Sequence, residues 1–364
     1  TFLFATCQIG AETALKAEVA REWPDFHPAF AAGGFLTFKL PPKTQMALDF
    51  DLRSVFARAS GVSLGRVDGD DLESRLQAVL RATEKEPFDR IHLWPRDRFR
   101  PGYYRYQPGD SPDTIQANQA LRELAAAKTN APRIGGLARP NEHVLDVILL
   151  DDEQWWLGRH QAGPSRLPWP GGLDHRELPA HAVSRAYLKM QQALEWSRLP
   201  LKSGHCCAEL GSSPGGSSQA LLDRGMRVIG IDPAEPADVV AEHPNYTHVR
   251  KFAAQVRRRV FRDVRWLMGD VSAAPNYALD AAQAVVEHRE TSVQGLLMTL
   301  KLPDWKLAEQ VPEYLARVRS WGFTEIRARQ LQYNRQEFTI AAWNESAKAR
   351  RPRRRRKKRK PSAK

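Results

Sequence analysis

Apolar and polar positions along this chain follow two periods, which predict strands and helices in two successive regions. In residues 1–162, short apolar or alternating runs predict strands, and apolar positions about three to four residues apart predict amphipathic helices. The predicted strands are 2–7, 35–40, 62–67, 91–94, 144–150 and 154–159, and the predicted helices are 10–23, 71–83 and 113–127. The first region is therefore predicted to be a small α/β domain, in which Trp155 and Trp156 are interpreted as core rather than base-stacking residues.

Residues 163–180 are rich in proline and glycine and are predicted to form a linker or surface arm before a second domain at 181–344. Strands and helices alternate in this second region. The predicted strands are 206–210, 228–231, one ending at 249–250, 264–268 and 293–301, followed by an antiparallel edge pair at 326–331 and 337–343; the predicted helices are 184–196 with Ser184 as N-cap, one around 220–222, 253–259, 278–288 and 304–321. This alternation predicts a doubly wound sheet that binds ligands at the carboxyl ends of its strands.

The composition is that of a globular protein with about two domains. Hydrophobic residues make up 42% of the 364 residues. No run of about eighteen apolar residues exists, which argues against a membrane span. Residues 1–9 lack the features of a secretion signal, so we expect a cytoplasmic location. Cys7, Cys206 and Cys207 have neither disulfide-framework nor metal-chelate spacing, so they are predicted to be core residues and no metal site is predicted.

The positive charge is concentrated at the end of the chain. The formal net charge is +13, but residues 348–364 hold twelve basic residues and no acid, which leaves about +1 for residues 1–347. Such a segment cannot bury apolar area, so residues 345–364 are predicted to be a disordered basic tail. Its predicted role is attraction to phosphates, and the alternative is a solubilising tail without a specific partner.

The stretch from Cys206 to Asp232 carries the first chemical signal. A buried strand runs into a glycine-rich turn at 211–216, then a helix and a second strand that ends on Asp232. Gly215 and Gly216 lack the Cβ atoms that would keep a ligand from the backbone, and the helix start offers free N–H groups. An acid about 20 residues past the turn can accept hydrogen bonds from a ribose diol. The stretch therefore predicts a nucleoside-binding unit.

The glycine spacing narrows the choice of nucleoside. Neither the dinucleotide fingerprint G-x-G-x-x-G nor a phosphate-binding P-loop is present. The segment Glu209-Leu210-Gly211-Ser212-Ser213-Pro214-Gly215-Gly216 instead resembles the loop of S-adenosylmethionine-dependent methyltransferases, in the variant found in FtsJ-type RNA ribose 2′-O-methyltransferases. That resemblance implies a Rossmann-like methyltransferase domain with S-adenosylmethionine as cofactor.

Four polar residues strengthen the resemblance. Lys189, Asp270, Lys301 and Glu337 appear in the order of the family's Lys–Asp–Lys–Glu tetrad, and the similarity covers residues 181–343. Within the family, the chain is most similar to two-domain bacterial enzymes with an RNA-binding THUMP domain, which methylate a cytidine ribose in large-subunit (23S) rRNA. The resemblance implies a THUMP-like domain at 1–162 and RNA, as rRNA or a precursor particle, as the partner.

The resemblance also implies roles for individual residues. Lys301 is predicted to be the general base, Lys189 to contact the substrate hydroxyl or a phosphate, and Asp270 and Glu337 to orient the lysines. A lysine base needs a lowered pKa, which we expect from burial and from the second lysine. The residues predicted to line the cofactor site are Ser184, Gly211, Ser213, Pro214, Gly215, Gly216, Asp232 and Asp270.

Two departures from the family pattern leave alternatives open. Ser217 and Ser218 stand where an aromatic residue often follows the glycines, and Phe252 stands where an acid commonly contacts the adenine. Phe252 is a candidate to stack on the base. A methyltransferase-like RNA-binding or ribosome-assembly protein with little or no activity is the main alternative function, and a Rossmann-type dehydrogenase is the third.

Overall fold

Two β-sheets organise the chain in this computed structural model, which describes residues 1–67, 69–164 and 166–344. The tail predicted at 345–364 lies outside the described residues. The elements of the first part are β1 (Phe2–Thr6), α1 (Glu12–Glu22), β2 (His27–Ala32), β3 (Phe35–Lys39), β4 (Ala59–Arg66), α2 (Leu72–Lys85), β5 (Arg90–Pro95), α3 (Pro112–Ala126), β6 (Arg133–Ile134), β7 (His143–Leu149) and β8 (Trp155–Gln161). Among the described residues they form one sheet in the order β2-β3-β1-β4-β8-β7-β5-β6.

The sequence pattern missed the two edge strands of this sheet. β2 is largely exposed and contains Pro28, and β6 has only two residues, so neither carries the apolar run that indicates a strand. The interior strands were predicted because they carry apolar or alternating runs that are largely buried. Trp155 and Trp156 are both buried, as predicted, and the three cysteines are buried and free.

The second sheet has the strand order of a doubly wound α/β fold. Its elements are α4 (Ala186–Ser197), β9 (Cys206–Leu210), α5 (Gly216–Leu222), β10 (Arg227–Ile231), α6 (Asp238–Ala241), β11 (Tyr246–Val249), β12 (Trp266–Gly269), α7 (Pro275–Val286), β13 (Gly295–Lys301), α8 (Val311–Ser320), β14 (Glu325–Arg329) and β15 (Glu337–Trp343). Within the described chain the order is β11-β10-β9-β12-β13-β15-β14, with β15 antiparallel to both of its neighbours. The order reverses between β9 and β12, the point where such sheets bind ligands.

One local prediction in this half is confirmed and two are wrong. β14 and β15 form an antiparallel pair at the edge of the sheet, as predicted, with β15 lying between β13 and β14. The helix predicted at 253–259 is two 3₁₀ turns, Ala253–Gln255 and Arg258–Phe261, the first of which buries no residue. The helix predicted at 304–321 starts as a 3₁₀ turn, Trp305–Gln310, and becomes α8 near Pro312, a residue suited to the first turn of a helix.

The two sheets pack against each other through a shared apolar cluster. Phe56 from the first part contacts Trp305 from the second, with ring centroids 6.2 Å apart. The Gln330 N–H donates to the carbonyl of Val55 at 2.6 Å. The surface arm predicted at 163–180 is wrong for residues 170–174, which are buried, with Gly171 packed against the Trp94 ring of β5. Asp174 N–H donates there to the Gln332 side chain.

The lengths and composition of the helices bear on the prediction that the chain does not span a membrane. Among the described residues, no helix combines the length and the apolar character needed to cross a bilayer.

Candidate active site

The candidate site begins where two adjacent parallel strands end. Gly211 follows β9 and Asp270 follows β12, and the Asp270 N–H donates to the Leu210 carbonyl at 3.1 Å. Gly211 has a φ of +77°, and a Cβ there would come within 2.9 Å of the Asp270 carbonyl oxygen. A glycine is therefore required for the two strand ends to meet at the switch point of the sheet.

The four tetrad residues lie together beside this point. Lys189 Nζ is 2.7 Å from Asp270 Oδ2 and 2.5 Å from Glu337 Oε1. Lys301 Nζ is 2.9 Å from Asp270 Oδ1 and also pairs with Glu337 Oε2. Each ammonium thus contacts both carboxylates, in a closed arrangement of alternating charge. The Glu337 side chain is only 6% exposed, whereas the Asp270 and Lys301 side chains are 23% and 28% exposed, so the arrangement is open to solvent on the Asp270 and Lys301 side.

Strand pairing accounts for half of this arrangement. Lys301 ends β13 and is the register partner of Glu337, which begins the antiparallel β15. The Lys301 and Glu337 side chains therefore point to the same face of the sheet at its carboxyl-terminal edge. Asn334 Nδ2 and the Arg335 N–H lie near Glu337 Oε1 as further donors, at 3.5 and 3.4 Å. Glu337 is held in one orientation by these contacts.

The charge balance of the tetrad differs from the expectation. Burial by itself lowers the pKa of Lys301, but the Glu337 and Asp270 carboxylates outweigh burial and raise it above the ordinary value of 10.5. Burial likewise opposes ionisation of Asp270, yet Lys189 and Lys301 together lower the pKa of its carboxyl. The predicted lowering of the Lys301 pKa is therefore wrong for this arrangement, because two carboxylates neutralise the like-charge effect of the second lysine.

The helix that carries Lys189 is positioned by a close approach to the glycine turn. A Cβ on Gly216 would lie 2.2 Å from Ser184 Oγ and 2.9 Å from the Ser184 carbonyl oxygen. Ser184 was predicted to be the N-cap of this helix, and that prediction is wrong. The capping position is Arg185; among the described residues it has no side-chain cap, and the buried Ser184 Oγ has no hydrogen-bond partner.

Replacing Gly216 by Ala is expected to destabilise the protein. The new methyl group would displace the start of α4 from the turn, and overpacking of this kind typically costs about 1–3 kcal/mol. The measurement is the denaturant midpoint for unfolding. Gly163→Ala is the matched control, because a Cβ at Gly163 meets no atom within 4 Å. Equal midpoints for the two variants would contradict the contact.

A cavity of about 230 Å³ opens beside the tetrad at the strand ends. Four of the predicted cofactor-site residues line this cavity, together with the candidate stacking residue Phe252 and with residues that the sequence did not single out. The predicted lining residues are Gly211, Ser213, Asp232, Asp270 and Phe252, and the residues that were missed include Lys251, Ser272 and Tyr277. Ser184, Pro214, Gly215 and Gly216 are not lining residues. A Cβ on Gly215 would meet the Val240 side chain, and a Cβ on Gly216 would meet Ser184.

Asp232 retains capacity for a ligand at the end of β10. Its Oδ2 accepts from the Ser213 N–H at 3.1 Å and its Oδ1 accepts from the Ala234 N–H at 2.8 Å. A carboxylate has about four acceptor positions, so each oxygen can still accept from a hydroxyl. The lining therefore fits an adenosine moiety: an acid suited to a ribose diol, an exposed Phe252 ring suited to a base, and Asp270 toward the tetrad.

Glu209 is a buried acid beside the site that was not among the residues predicted to form it. Its side chain is buried, and burial raises the pKa of the carboxyl to about 8, with a further contribution from nearby Asp270. Ser218 Oγ donates a hydrogen bond to it. Ser217 and Ser218, the departure from the family pattern, are both buried. The Glu209-Leu210-Gly211 motif contained the signal, because an acid within an apolar strand needs a partner.

Comparison with known proteins agrees with this geometry. Residues 182–321 match the FtsJ-like methyltransferase family. The protein named ribosomal RNA large subunit methyltransferase M from Halorhodospira halophila is 32% identical over 348 residues, 92% of this chain and 95% of that protein. The protein of the same name from Tolumonas auensis is 27% identical over 318 residues, 82% of this chain and 81% of that protein. This chain therefore belongs to the ribosomal RNA large subunit methyltransferase M family.

Proposed function

We propose that this protein transfers a methyl group from S-adenosylmethionine to a ribose 2′-hydroxyl of 23S rRNA, with Lys301 as the general base. The family makes it an S-adenosylmethionine-dependent rRNA methyltransferase. The observation that carries the proposed chemistry is the closed contact of Lys189, Asp270, Lys301 and Glu337 next to the Asp232 cavity. The resemblance implies cytidine as the nucleotide, and a cytoplasmic location is part of the same proposal.

Different residues of the cavity are proposed to bind different parts of S-adenosylmethionine. Asp232 would accept hydrogen bonds from the ribose, Phe252 would stack on the adenine, and Asp270 would hold the methionyl amine. When bound, S-adenosylmethionine supplies an electrophilic methyl group on a sulfonium. Ser213 and Gly211 would border the ligand through their backbone, since both line the cavity.

The tetrad is proposed to remove the proton of the 2′-hydroxyl as the oxygen attacks. The Nζ lone pair of neutral Lys301 accepts that proton, and the Glu337 carboxylate beside it stabilises the ammonium that forms. Lys189 contacts the substrate hydroxyl or the neighbouring phosphate. Asp270 and Glu337 orient both amines, because each carboxylate contacts both of them. The raised pKa of Lys301 makes its neutral form scarce at neutral pH, so activity should rise with pH.

The test is a methyl-transfer assay with the purified full chain. Tritium from labelled S-adenosylmethionine is expected to enter 23S rRNA and to appear in alkali-resistant dinucleotides, since a 2′-O-methyl group blocks cleavage at the next phosphate. Label confined to a base would overturn the ribose assignment. Absence of label from both naked rRNA and precursor particles, with binding of cofactor and RNA intact, would favour the inactive RNA-binding alternative. Calorimetry with NAD would detect the dehydrogenase.

The basic tail at 348–364, outside the described residues, is proposed to attract RNA phosphates. Deleting it is expected to weaken RNA binding and to flatten the dependence of log affinity on log salt, by about 0.7 for each phosphate of a single strand that the tail neutralises. The measurement is RNA affinity at several salt concentrations. A variant with serine at the twelve basic positions controls for length. An unaltered slope in both variants would leave the tail with only a solubilising role.

A further inference from the structure

An exposed cluster of aromatic rings lies between β5 and α3, in the segment 98–107, here called the aromatic loop. Phe99 is 44% exposed, Tyr103 is 55% exposed and Tyr104 is 78% exposed. The Tyr103 and Tyr104 ring centroids are 4.2 Å apart, and Phe99 lies 6.4 Å from Tyr103 and 6.0 Å from Tyr104. Large apolar surfaces left in water in this way commonly mark binding sites.

The aromatic loop is held at both ends. Just before it, Asp97 forms a buried bidentate ion pair with Arg58, with N–O distances of 2.6 and 2.8 Å. Just after it, the Pro108 carbonyl accepts from Gln332 Nε2 at 2.9 Å, which ties the loop to the methyltransferase sheet. Within the loop, the Gly102 N–H donates to the Tyr106 carbonyl at 2.8 Å. The rings are therefore presented on a defined turn.

The backbone conformation of Tyr104 is unfavourable for a bulky residue, which indicates that its ring has a function outside the packing of the fold. Its φ of +47° and ψ of +35° lie in the left-handed region, which bulky residues adopt at an energetic cost. Asparagine or glycine would adopt this conformation at lower cost. The tyrosine at this turn places a large ring in solvent, so burial in the fold does not account for its presence.

The aromatic loop borders the tetrad through two arginines. Arg335, two residues before Glu337, lies against the loop, since a Cβ on Gly102 would come within 3.1 Å of Arg335 Cζ. Arg185, one helical turn before Lys189, donates to Gln107 Oε1. Within the part of the chain that the structure describes, neither guanidinium has an ion-pair partner. Burial and then the Arg335 charge lower the pKa of Arg185.

We propose that Arg185, Arg335 and the aromatic loop form a binding path for single-stranded RNA that leads into the tetrad. The inference rests on the proposed function and extends it to the substrate. The arginines hold a backbone phosphate, for which guanidinium groups have matching geometry. The rings of Tyr103, Tyr104 and Phe99 stack on unpaired bases, which is how proteins bind RNA strands whose bases are not paired. The target nucleotide is thereby presented beside Lys189 with its neighbours fixed.

The charge of the flanking residues favours RNA over a protein partner. An apolar protein surface would satisfy the rings but would leave the two cations beside them without compensation. A single RNA strand provides both bases for the rings and phosphates for the cations. The path also ends at the residues that would contact a ribose, so one strand can occupy both regions.

The test measures affinity of the full chain, without S-adenosylmethionine, for a fluorescein-labelled twelve-nucleotide oligouridylate by anisotropy at several salt concentrations. Tyr104→Ala is expected to weaken binding about tenfold with an unchanged salt slope, because stacking carries no charge. Tyr104→Phe, which keeps the ring, should bind as the unaltered chain does. Arg185→Gln and Arg335→Gln should weaken binding and reduce the slope by about 0.7 each, since each removes a phosphate contact.

Phe2→Ala is the matched control, because Phe2 is also an exposed aromatic residue but lies away from the aromatic loop. The chain approaches the loop after the other end of β1, where Gly10 lies next to Arg100. Unchanged affinity in Tyr104→Ala overturns the inference and leaves a protein partner as the occupant. Equal losses in Phe2→Ala and Tyr104→Ala also overturn it. If Tyr104→Ala binds RNA normally and still transfers methyl groups, the binding path is wrong but the proposed function stands. If RNA binding depends on Tyr104 but the unaltered chain transfers no methyl group, the proposed function is wrong but the binding path stands.

Discussion

Replacing Lys301 by Met is expected to reduce the rate constant for methyl transfer by about 10²- to 10⁴-fold, the usual contribution of a general base. Methionine matches the length and apolar stem of lysine but offers no nitrogen lone pair. Lys301 does not line the cofactor cavity, so affinity for S-adenosylmethionine should change little. The measurements are single-turnover transfer to rRNA and calorimetric cofactor affinity.

Two further variants make this result specific. Lys301→Arg keeps the positive charge and the contact with Glu337, but a guanidinium does not release its proton in the accessible pH range, so it should be as inactive as Lys301→Met. Lys306→Met removes an exposed lysine five residues further along and should leave the rate unchanged. An active Lys301→Arg variant would show that charge, rather than proton transfer, is the contribution of Lys301.

The pH profile of the unaltered chain provides a second readout of the same assignment. Carboxylates raise the pKa of Lys301 above 10.5, and only the neutral amine accepts a proton. The single-turnover rate should therefore rise about tenfold per pH unit between pH 7 and 9. A rate independent of pH over this range, with chemistry as the slow step, would argue against a lysine base.

Replacing Glu337 by Gln is expected to lower the free energy of unfolding at pH 7 by about 1.5–3 kcal/mol, because it removes one of the two carboxylates that each partly buried ammonium contacts. Lys189 and Lys301 would both depend on Asp270 alone. The folded pKa of Lys301 is raised, so the stabilisation is fully present below the unfolded lysine pKa and is lost as the pH rises through the folded pKa. The difference between the two proteins should therefore shrink above pH 10.5.

The measurement is denaturant unfolding of both proteins at pH 7 and at increasing pH above 10. The double variant Lys301→Met with Glu337→Gln removes one charge of each sign, so its loss should be smaller than the sum of the single losses. Glu309→Gln, at an exposed glutamate, should change stability by less than about 0.5 kcal/mol. Additive losses, or a Glu337→Gln effect as small as that of Glu309→Gln, would contradict the energetic role assigned to the tetrad contacts.

The sequence and the structure agree best where the signal is local. The glycine turn after β9, the acid after β10 and most strands follow from residue types within a few positions of each other. The predictions failed where the signal depended on surroundings. The 253–259 helix formed only 3₁₀ turns, and the predicted N-cap Ser184 became a packing contact for Gly216. Long-range packing overrides propensity at such positions.

The sequence by itself determined the order of the four tetrad residues, the glycine turn after β9 and the two-region organisation, because these depend on residue identity and short-range periodicity. Tertiary structure alone decided the insertion of β15 between β13 and β14, which sets Glu337 against Lys301 and so reverses the expected shift in the pKa of that amine. It also brought the aromatic loop of the first region against Arg335. These contacts join residues far apart in the chain, and only the packed fold defines the distances that govern their electrostatics.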